Sequence, residues 1–441
     1  MFEGVAAKVR KRIFLLLILA VICLLSACQI RTVDEMYQVP KRPESYNDLQ
    51  KVIEAAMSGM DYSAPKSGEN QQTVQMADLD GDGIREYLLF AKSSGDKPLR
   101  ILIFSQNDES VVLTDIIACS GTSFDLVEYV QMDGVGGMEI VVGCQISQQL
   151  TRSVGVYTME QGEIRQSLSA NYSKFLTCDL DCDDRMELMI LRPGTEAVNN
   201  GCVELYRFEN GILECSGEVK MSASVDKLKR VITGNLHGGI PAVFAASAID
   251  ATALITDVYA LVDGVFTNIT ESGVQTLRDR YVYADDIDED GEVELPSLIP
   301  MPAAEEAFSA QQYLICWFSI DQQLKKTEKI HTYHNYDGGW YLKLDPAWAD
   351  RISVSQKGDE FEFYHWDEDH TSAQKIFSIF VFTGQNREEQ AVQDNRFVVY
   401  KNESVIYAAR LEVASGALCI TQNDLIESFC LIRQDWKTGE M

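Results

Sequence analysis

Three short stretches of the chain place four carboxylates at the same spacing. They begin at Asp78, Asp179 and Asp286 and read DLDGDGIRE, DLDCDDRME and DIDEDGEVE, with acidic residues at positions 1, 3, 5 and 9. Like charges this close together repel one another unless a cation lies between them. Hard oxygen donors in such number suit Ca²⁺ better than a transition metal. The spacing therefore predicts a calcium-binding loop in each stretch.

These loops have two alternative interpretations, a solvated hairpin turn and an EF-hand. Aspartate and glycine are turn formers, so the carboxylates could simply be solvated groups of a hairpin turn. An EF-hand requires a glutamate at position 12 and flanking helices. Position 12 is Leu89, Ile190 or Ser297 here, and the flanking segments are β-like. The sequence therefore excludes the EF-hand and favours a hairpin that binds an ion.

The three stretches belong to a longer repeat. Eroded copies begin at Gln131 (QMDGVGGME), which keeps Asp133 and Glu139, and at Gly234 (GNLHGGIPA), which keeps no carboxylate. The five starts are 48 to 55 residues apart, and an aromatic residue recurs in phase at 104, 157, 206 and 259. Each copy alternates like four short strands, a period typical of propeller blades. We expect a mainly β chain with a calcium-loop β-propeller of about five blades, with room for six or seven.

A carboxylate at position 9 between two strands resembles the FG-GAP or VCBS-type repeat of integrin-α-like propellers. The resemblance covers about residues 70–335 and implies two or three Ca²⁺ ions on one rim, bracing the blades. At Ile84, Arg185 and Glu292 the ligand would be the backbone carbonyl. The implied ligands are Asp78, Asp80, Asp82, Ile84, Glu86, Asp179, Asp181, Asp183, Arg185, Glu187, Asp286, Asp288, Asp290, Glu292 and Glu294. The middle loop departs from the pattern, with Cys182 and Asp184 in place of two glycines.

The N-terminus resembles a bacterial lipoprotein signal. Four basic residues precede the apolar run IFLLLILAVICLL, which is short for a membrane span, and LSAC follows it. We expect residues 1–27 to be a signal peptide, Cys28 to carry the lipid, residues 28–44 to form a tether, and residues 45–69 to hold a short helix and lead-in. The alternative is an ordinary cleavage site or an uncleaved anchor.

The net charge of −29 excludes some partners. Removing residues 1–27 makes it more negative by three, because they carry four basic residues and one acidic residue. Nucleic acid and anionic lipid headgroups would be repelled by such a surface. Of the eleven cysteines, none forms the paired CxxC pattern of a zinc site.

The repeat is absent from residues 336–441. Their pattern predicts a separate, smaller α+β domain that is loosely similar to the Mog1/PsbP-like fold. A terminal helix is expected over residues 422–436. The stretch from His365 to His370 (HWDEDH) could hold a metal or an acid–base pair, although a polar hairpin loop is favoured. His331 and His334 are expected to point to different environments.

No nucleophile, phosphate-binding or zinc-protease motif occurs in the sequence. The first hypothesis is therefore a lipid-anchored, non-enzymatic binding or scaffold protein on the outer face of a bacterial cytoplasmic membrane, with a protein or glycan partner. The second is a propeller hydrolase or lyase that acts on cell-wall or extracellular polysaccharide. The third is a structural accessory of an envelope machine.

Overall fold

The computed structural model describes residues 44–107, 110–146, 151–194, 200–271, 275–302, 312–412, 418, 420–433 and 436. Of these residues, 59–104 and those from 114 onward form one compact unit, and 44–58 with the described part of 105–113 form another. In the smaller unit, helix α1 (Glu44–Ala56) lies where the sequence predicts a helix. The signal peptide, Cys28 and nearly all of the tether lie outside the described residues.

Six antiparallel sheets follow one another along the chain. Sheet 1 contains β1 (Asp61–Tyr62), β2 (Val74–Ala77), β3 (Glu86–Lys92), β4 (Leu99–Asn107) and β5 (Ser110–Cys119). Sheet 2 contains β6 (Ser123–Val130), β7 (Glu139–Gln145), β8 (Arg152–Glu160) and β9 (Glu163–Tyr172). Sheet 3 contains β10 (Lys174–Cys178), β11 (Glu187–Arg192), β12 (Cys202–Glu209) and β13 (Ile212–Lys220).

Sheet 4 contains β14 (Leu228–Leu236), β15 (Ile240–Ala248), β16 (Leu254–Val262) and β17 (Val265–Asn268). Sheet 5 contains β18 (Leu295–Pro300), β19 (Tyr313–Ile320), β20 (Lys326–Asn335), β21 (Trp340–Leu344) and the last strand, β27 (Phe429–Leu431). Sheet 6 contains β22 (Ile352–Lys357), β23 (Glu360–Trp366), β24 (Ala373–Thr383), β25 (Phe397–Lys401) and β26 (Val405–Leu411). Helices α2 (Arg387–Gln390) and α3 (Gln422–Ser428) and the 3₁₀ turns Val225–Lys227 and Pro346–Trp348 complete the described elements.

Sheets 2, 3 and 4 are four-stranded meanders in chain order, as the repeat predicts. Their last two strands meet at tight turns whose two central residues have positive φ, as at Asn210-Gly211 (52° and 79°) and Asp263-Gly264 (52° and 77°). Such turns match the twist of paired strands and favour Asn, Asp and Gly. Local turn chemistry therefore fixes the end of each copy.

The sheets pack face to face because their inner strands bury both sides. In β7, Ile140 and Val142 pack against sheet 1, whereas Val141 packs against sheet 3. In β15, Val243 packs against sheet 3 and Phe244 against sheet 5. Successive side chains of a strand point to opposite faces, so a strand covered on both sides needs a continuous apolar run. This mainly β series of antiparallel sheets is consistent with the expected propeller.

Sheet 5 is completed from two distant parts of the chain. Asn335 of β20 pairs with Trp340 of β21, so the expected domain boundary at 335/336 falls between two paired strands. Strand β27 then pairs with β21. The expectation of a helix through residue 436 is wrong, because the helix ends at Ser428 and a strand follows. Phe429 stacks on Trp340 with ring centroids 5.7 Å apart, and this core contact requires the extended backbone.

Candidate metal centre

The three predicted loops occupy equivalent places in the fold. Loop 1 joins β2 to β3, loop 2 joins β10 to β11, and loop 3 leads into β18 through a bridge between Asp285 and Glu294. Carboxylate oxygens of three residues in each loop lie within 4.8 Å of one another. These clusters are Asp78, Asp80 and Glu86 in loop 1, Asp179, Asp181 and Glu187 in loop 2, and Asp286, Asp288 and Asp290 in loop 3. The structure therefore brings together three of the four predicted carboxylates of each loop, and Asp82, Asp183 and Glu294 lie outside these clusters.

The aspartate at position 1 organises each loop. In loop 1, Asp78 accepts hydrogen bonds from the backbone N–H groups of Gly81 (2.8 Å) and Gly83 (3.0 Å). In loop 3, Asp286 accepts from Asp290 (3.0 Å) and Gly291 (2.9 Å). Such side-chain to backbone bonds are the local signature of aspartate turns. They hold the loop in a shape that turns the remaining oxygens toward one another.

The aspartate at position 5 accepts a hydrogen bond from the backbone N–H at position 7. The Ile84 N–H donates to Asp82 at 2.7 Å, and the Arg185 N–H donates to Asp183 at 2.9 Å. In loop 3 the Glu292 N–H donates to Asp290 at 2.9 Å. These bonds tie position 5 to position 7. Position 7 is the residue whose backbone carbonyl oxygen is expected to bind the ion.

The glutamate at position 9 is buried and caps the start of its own loop. Glu86 accepts from the Leu79 N–H at 2.9 Å, and burial raises its pKa. Burial raises the pKa of Glu187 to about 7 and that of Glu294 to about 8, with neighbouring aspartates adding to the effect. Removal from water disfavours the charged carboxylate, and a nearby cation would favour it.

The same glutamate persists where the other carboxylates have been lost. Glu139 of the eroded second copy is 2% exposed and accepts from the Met132 N–H at 2.7 Å. Position 9 therefore has a role within the hairpin that does not depend on an ion. A glutamate there identifies the loop type, whereas positions 1, 3 and 5 distinguish a metal site.

Backbone conformation separates the loops. Position 6 has positive φ in all three, with values of 87° at Gly83, 65° at Asp184 and 88° at Gly291. Position 4 is also left-handed, and it carries Cys182 in loop 2 and Glu289 in loop 3 (60° and 64°). Residues with a Cβ adopt this region at a cost that glycine avoids. Loop 2, with two such residues, carries the most strain.

Basic side chains reach two of the three loops. In loop 2, Arg185 pairs with Asp183, and Arg207 lies 3.4 Å from Asp181. In loop 3, Lys329 pairs with Asp290 and lies 3.0 Å from Glu292. Among the described residues, no such ion pair involves Asp78, Asp80 or Asp82 of loop 1. The internal cations neutralise part of the charge that Ca²⁺ would otherwise meet.

Loop 3 nevertheless contains unsatisfied oxygens. Oε1 of Glu294, which is 0% exposed, and Oδ1 of Asp288 have no hydrogen-bond partner within the described part of the chain. An unpaired buried oxygen is costly. A bound cation would satisfy both atoms, so the donor set of loop 3 fits Ca²⁺.

In the eroded copies, contacts within the protein lie where the intact loops would bind an ion. At position 1 of copy 2, the Gln131 side chain accepts from the Gly134 N–H (2.8 Å) and donates to the Gly137 carbonyl (2.8 Å). That carbonyl is the position-7 group that the intact loops would offer to a metal. In copy 4 the hairpin is shorter. Leu236 pairs with Ile240, and the three residues between them include no carboxylate.

We call the row of loops at residues 78–85, 131–138, 179–186, 235–239 and 286–293 the loop edge. Backbone hydrogen bonds join its first three loops to one another and its last two loops to each other. The Met138 N–H donates to the Asp78 carbonyl at 2.9 Å, and the Met186 N–H donates to the Gln131 carbonyl at 2.7 Å. The Val293 N–H likewise donates to the Asn235 carbonyl at 2.8 Å. Between copies 3 and 4 the row opens into a cavity of about 350 Å³ beside Asp179.

A second concave site, which the sequence does not predict, lies near sheet 5. A pocket of about 360 Å³ is lined by Arg280, Val282, Leu298, Gln312, Tyr313, Ile315, Tyr333, His334, Asn335, Tyr336, Asp337 and Gln356. Burial lowers the pKa of His334 to about 3, so this ring is neutral at physiological pH. These residues come from five separate segments, so only the tertiary structure assembles them. The predicted HWDEDH loop is a hairpin turn in which Asp367 accepts from Thr371 and Ser372.

Comparisons with known proteins are distant. No protein-family model and no curated protein matches the chain. A Lactobacillus plantarum protein of known structure is 12% identical over 71% of this chain and 85% of its own, with a TM-score of 0.31. The exotype rhamnogalacturonan lyase YesX is 12% identical over 72% and 65% (TM-score 0.28), and a Bacillus licheniformis rhamnogalacturonan lyase is 14% identical over 72% of each chain (TM-score 0.28). Overlap at this level carries no argument about activity. Among the described residues, no helix has the length and apolar content of a membrane span.

Proposed function

We propose that this chain is a lipid-anchored, extracytoplasmic, calcium-binding β-propeller that acts as a non-enzymatic binding or scaffold protein. The observation that carries the proposal is the loop edge, where three carboxylate clusters lie in equivalent hairpins. The unpartnered, buried oxygen of Glu294 supports an ion at the third of them. We also propose that the repeat is of the FG-GAP or VCBS type.

The ions brace the loops. In loops 1 and 2 the cluster draws carboxylates from both ends of the hairpin, so a bound Ca²⁺ would tie the first strand of the sheet to the second. Loop 1 is the strongest site, because no basic side chain of the described residues pairs with its aspartates. Loop 2 is the weakest, since it combines two arginines with two left-handed residues that carry side chains. Two or three ions are therefore expected.

Exposed apolar side chains beside the clusters support a protein partner. Ile84 is 53% exposed, Val135 80%, Met138 40% and Met186 36%, and all four belong to the first three loops of the edge. Neighbouring apolar groups on a strongly acidic surface favour a binding face. Ca²⁺ would lower the local negative charge and fix the loops that present these side chains.

The lipid on Cys28 would hold this binding face at the outer surface of a bacterial cytoplasmic membrane. Cys28 lies outside the described residues, so the lipid anchor is supported by the LSAC sequence after the apolar run. Changing Cys28 to Ala should release the protein from the membrane fraction, and retention of the variant would contradict the lipid anchor.

A second candidate function is a polysaccharide hydrolase or lyase, or a glycan-binding protein. The pocket near sheet 5 favours it, because Tyr313, Tyr333 and Tyr336 line the cavity together with Arg280 and Asp337. Aromatic faces with a few polar groups suit sugar rings. Incubation with acidic and neutral polysaccharides, followed by reducing-end and unsaturated-product assays, separates turnover from binding.

Calcium titration of the chain from residue 28 onward tests the main proposal. We expect two or three bound ions by calorimetry and a higher melting temperature than in EDTA. The double variant Asp78→Asn with Asp82→Asn should lose the tightest site, whereas Asp96→Asn, on an exposed turn, should lose none. Absence of both heat and thermal shift would overturn the calcium claim.

Photo-crosslinking from position 135 then tests the partner. A probe there should capture one protein in Ca²⁺ and much less in EDTA. A probe at Glu163, exposed outside the loop edge, serves as the control. Equal capture from both positions would contradict a binding face on the loop edge.

A further inference from the structure

Three side chains of sheet 5 with metal-ligand chemistry converge away from the loop edge. Cys316 of β19 lies directly opposite His331 of β20 in the strand register. The Cys316 sulfur, a ring nitrogen of His331 and a carboxylate oxygen of Glu328 all lie within 4.8 Å of one another. Cys316 is 5% exposed and His331 3% exposed, whereas Glu328 is exposed. The group therefore has a buried floor and an outer side that solvent can reach.

A β-bulge makes this convergence possible. Trp317 pairs with Ile330 but Phe318 pairs with Glu328, so Lys329 is an extra residue in β20. Residues three apart in a regular strand point to opposite faces. The bulge shifts this alternation and places Glu328 on the same face as His331, a change of direction that bulges often provide at functional sites. The sequence does not predict this site, because the spacing of Glu328 and His331 alone indicates opposite faces of the strand.

The three side chains have no competing partners. Among the described residues, none of them forms a side-chain hydrogen bond or an ion pair, and the buried Nδ1 of His331 is unsatisfied. A similar group of Cys202, Glu204 and Glu218 differs in this respect. There Arg192 pairs with Glu204, and the Tyr206 hydroxyl donates to it at 2.9 Å. Only the sheet 5 group keeps its donor atoms available.

We propose that Cys316, Glu328 and His331 form a zinc site with three protein ligands and one open position. Thiolate, imidazole and carboxylate together suit Zn²⁺, whereas a site with sulfur disfavours Ca²⁺. Zinc bonds of about 2.0–2.3 Å place tetrahedral ligands roughly 3.3–3.8 Å apart. The three atoms already lie within 4.8 Å of one another, so small side-chain rotations would bring them to that spacing. A metal bound through Nδ1 of His331 would also satisfy that atom.

Zn²⁺ and Co²⁺ titrations of the reduced chain from residue 28 onward test the site, with excess Ca²⁺ present to fill the carboxylate loops. We expect one Zn²⁺ per chain that Ca²⁺ does not displace, and a thiolate-to-cobalt charge-transfer band with Co²⁺. Cys316→Ala should abolish the band and weaken Zn²⁺ binding at least tenfold. Cys144→Ala, at another buried cysteine, should leave both unchanged.

Glu328→Gln provides a variant that does not disturb the core, because Glu328 is exposed. It should weaken Zn²⁺ binding about tenfold while the melting temperature without metal stays the same. A Co²⁺ spectrum with no thiolate band, or equal Zn²⁺ binding in wild type, Cys316→Ala and Glu328→Gln, would overturn the proposal. Neither result would affect the calcium sites, whose ligands belong to other residues.

Discussion

At the scale of single residues, the buried glutamates at position 9 show how one side chain serves two purposes. Glu86, Glu139, Glu187 and Glu294 each accept a backbone N–H from position 2 of the same loop. In loops 1 and 2 the carboxylate also belongs to an acidic cluster, whereas in loop 3 Glu294 lies outside the cluster of Asp286, Asp288 and Asp290. Copy 2 keeps only Asp133 beside its glutamate, so Glu139 shows the cost of burying this group without an ion.

Glu139→Gln should stabilise the protein at high pH. Burial, with help from Asp133, raises the pKa of Glu139 to about 7 in the folded state. A glutamate of the unfolded chain titrates near 4.3. The folded protein therefore holds the extra proton between these values, and stability falls as pH rises through that window. Thermal unfolding in EDTA should show a gain of at most about 4 kcal/mol at pH 8.

At pH 4 the same variant should match the wild type, because the carboxyl group is then protonated in both states. Glu163→Gln, at an exposed strand end, is the matched control and should change little at either pH. An equal gain for Glu139→Gln at pH 4 and pH 8 would show that charge is not the cause.

Lys329→Met should strengthen calcium binding at loop 3. The ammonium group of Lys329 pairs with Asp290 and Glu292, and these ion pairs raise the pKa of Lys329 above its usual range. Removing a cation that competes with Ca²⁺ should raise the affinity of that loop about tenfold, equivalent to about 1.4 kcal/mol. Calorimetry on a background with Asp78→Asn and Asp179→Asn isolates loop 3. Lys325→Met, which removes an exposed lysine nearby, should leave the affinity unchanged.

At the scale of elements, neighbouring hairpins fit together through backbone contact. A Cβ on Gly137 would lie 2.2 Å from the Leu79 carbonyl oxygen, and a Cβ on Gly81 would lie 2.7 Å from the Gly136 carbonyl carbon. Loop 1 and the loop of copy 2 therefore approach as closely as two backbones can. The Met138–Asp78 hydrogen bond depends on that approach.

Gly137→Ala should separate these two loops. The clash with backbone cannot be relieved by a side-chain rotation, so we expect a loss of about 1–3 kcal/mol and weaker Ca²⁺ binding at loop 1. Chemical denaturation and calorimetry measure the two effects. Gly162→Asn, on an open turn where a Cβ meets nothing within 4 Å, should preserve calcium binding. Full calcium affinity in Gly137→Ala would contradict coupling between the loops.

At the scale of the whole molecule, the C-terminal segment stabilises sheet 5 from a distance of more than 140 residues. Asp285, just before loop 3, accepts hydrogen bonds from Arg433 and from the Trp436 indole. The Trp436 ring packs parallel to His334 at 5.6 Å and lies 6.1 Å from Trp317. The end of the chain therefore supports the segment from which loop 3 projects.

Trp436→Ala should destabilise the protein by about 3–5 kcal/mol, because a large buried ring is lost and Asp285 loses a donor. Ile426→Ala, at an exposed position of α3, should cost far less. Urea denaturation followed by tryptophan fluorescence measures the difference. If the two variants have the same stability, the C-terminal segment does not contribute to the core of sheet 5.

The sequence alone determines the periodic features of this protein. The acidic loops, the Asn-Gly and Asp-Gly turns and the apolar runs are all local, and local patterns dictate strands and tight turns. They predict the four-stranded sheets and the equivalent hairpins at loops 1, 2 and 3. The helix expected through residue 436 failed because Phe429 pairs with a strand that lies far away in sequence.

Only the tertiary structure decides what depends on distant residues. Lys329 and Arg207 reach acidic loops 26 to 39 residues away, and the bulge at Lys329 brings Glu328 beside Cys316 and His331. No periodicity encodes such contacts, because they arise when sheets pack face to face and edges meet. Local repetition therefore sets the positions of the proposed calcium sites. Packing between sheets sets the charge and the geometry around each of them.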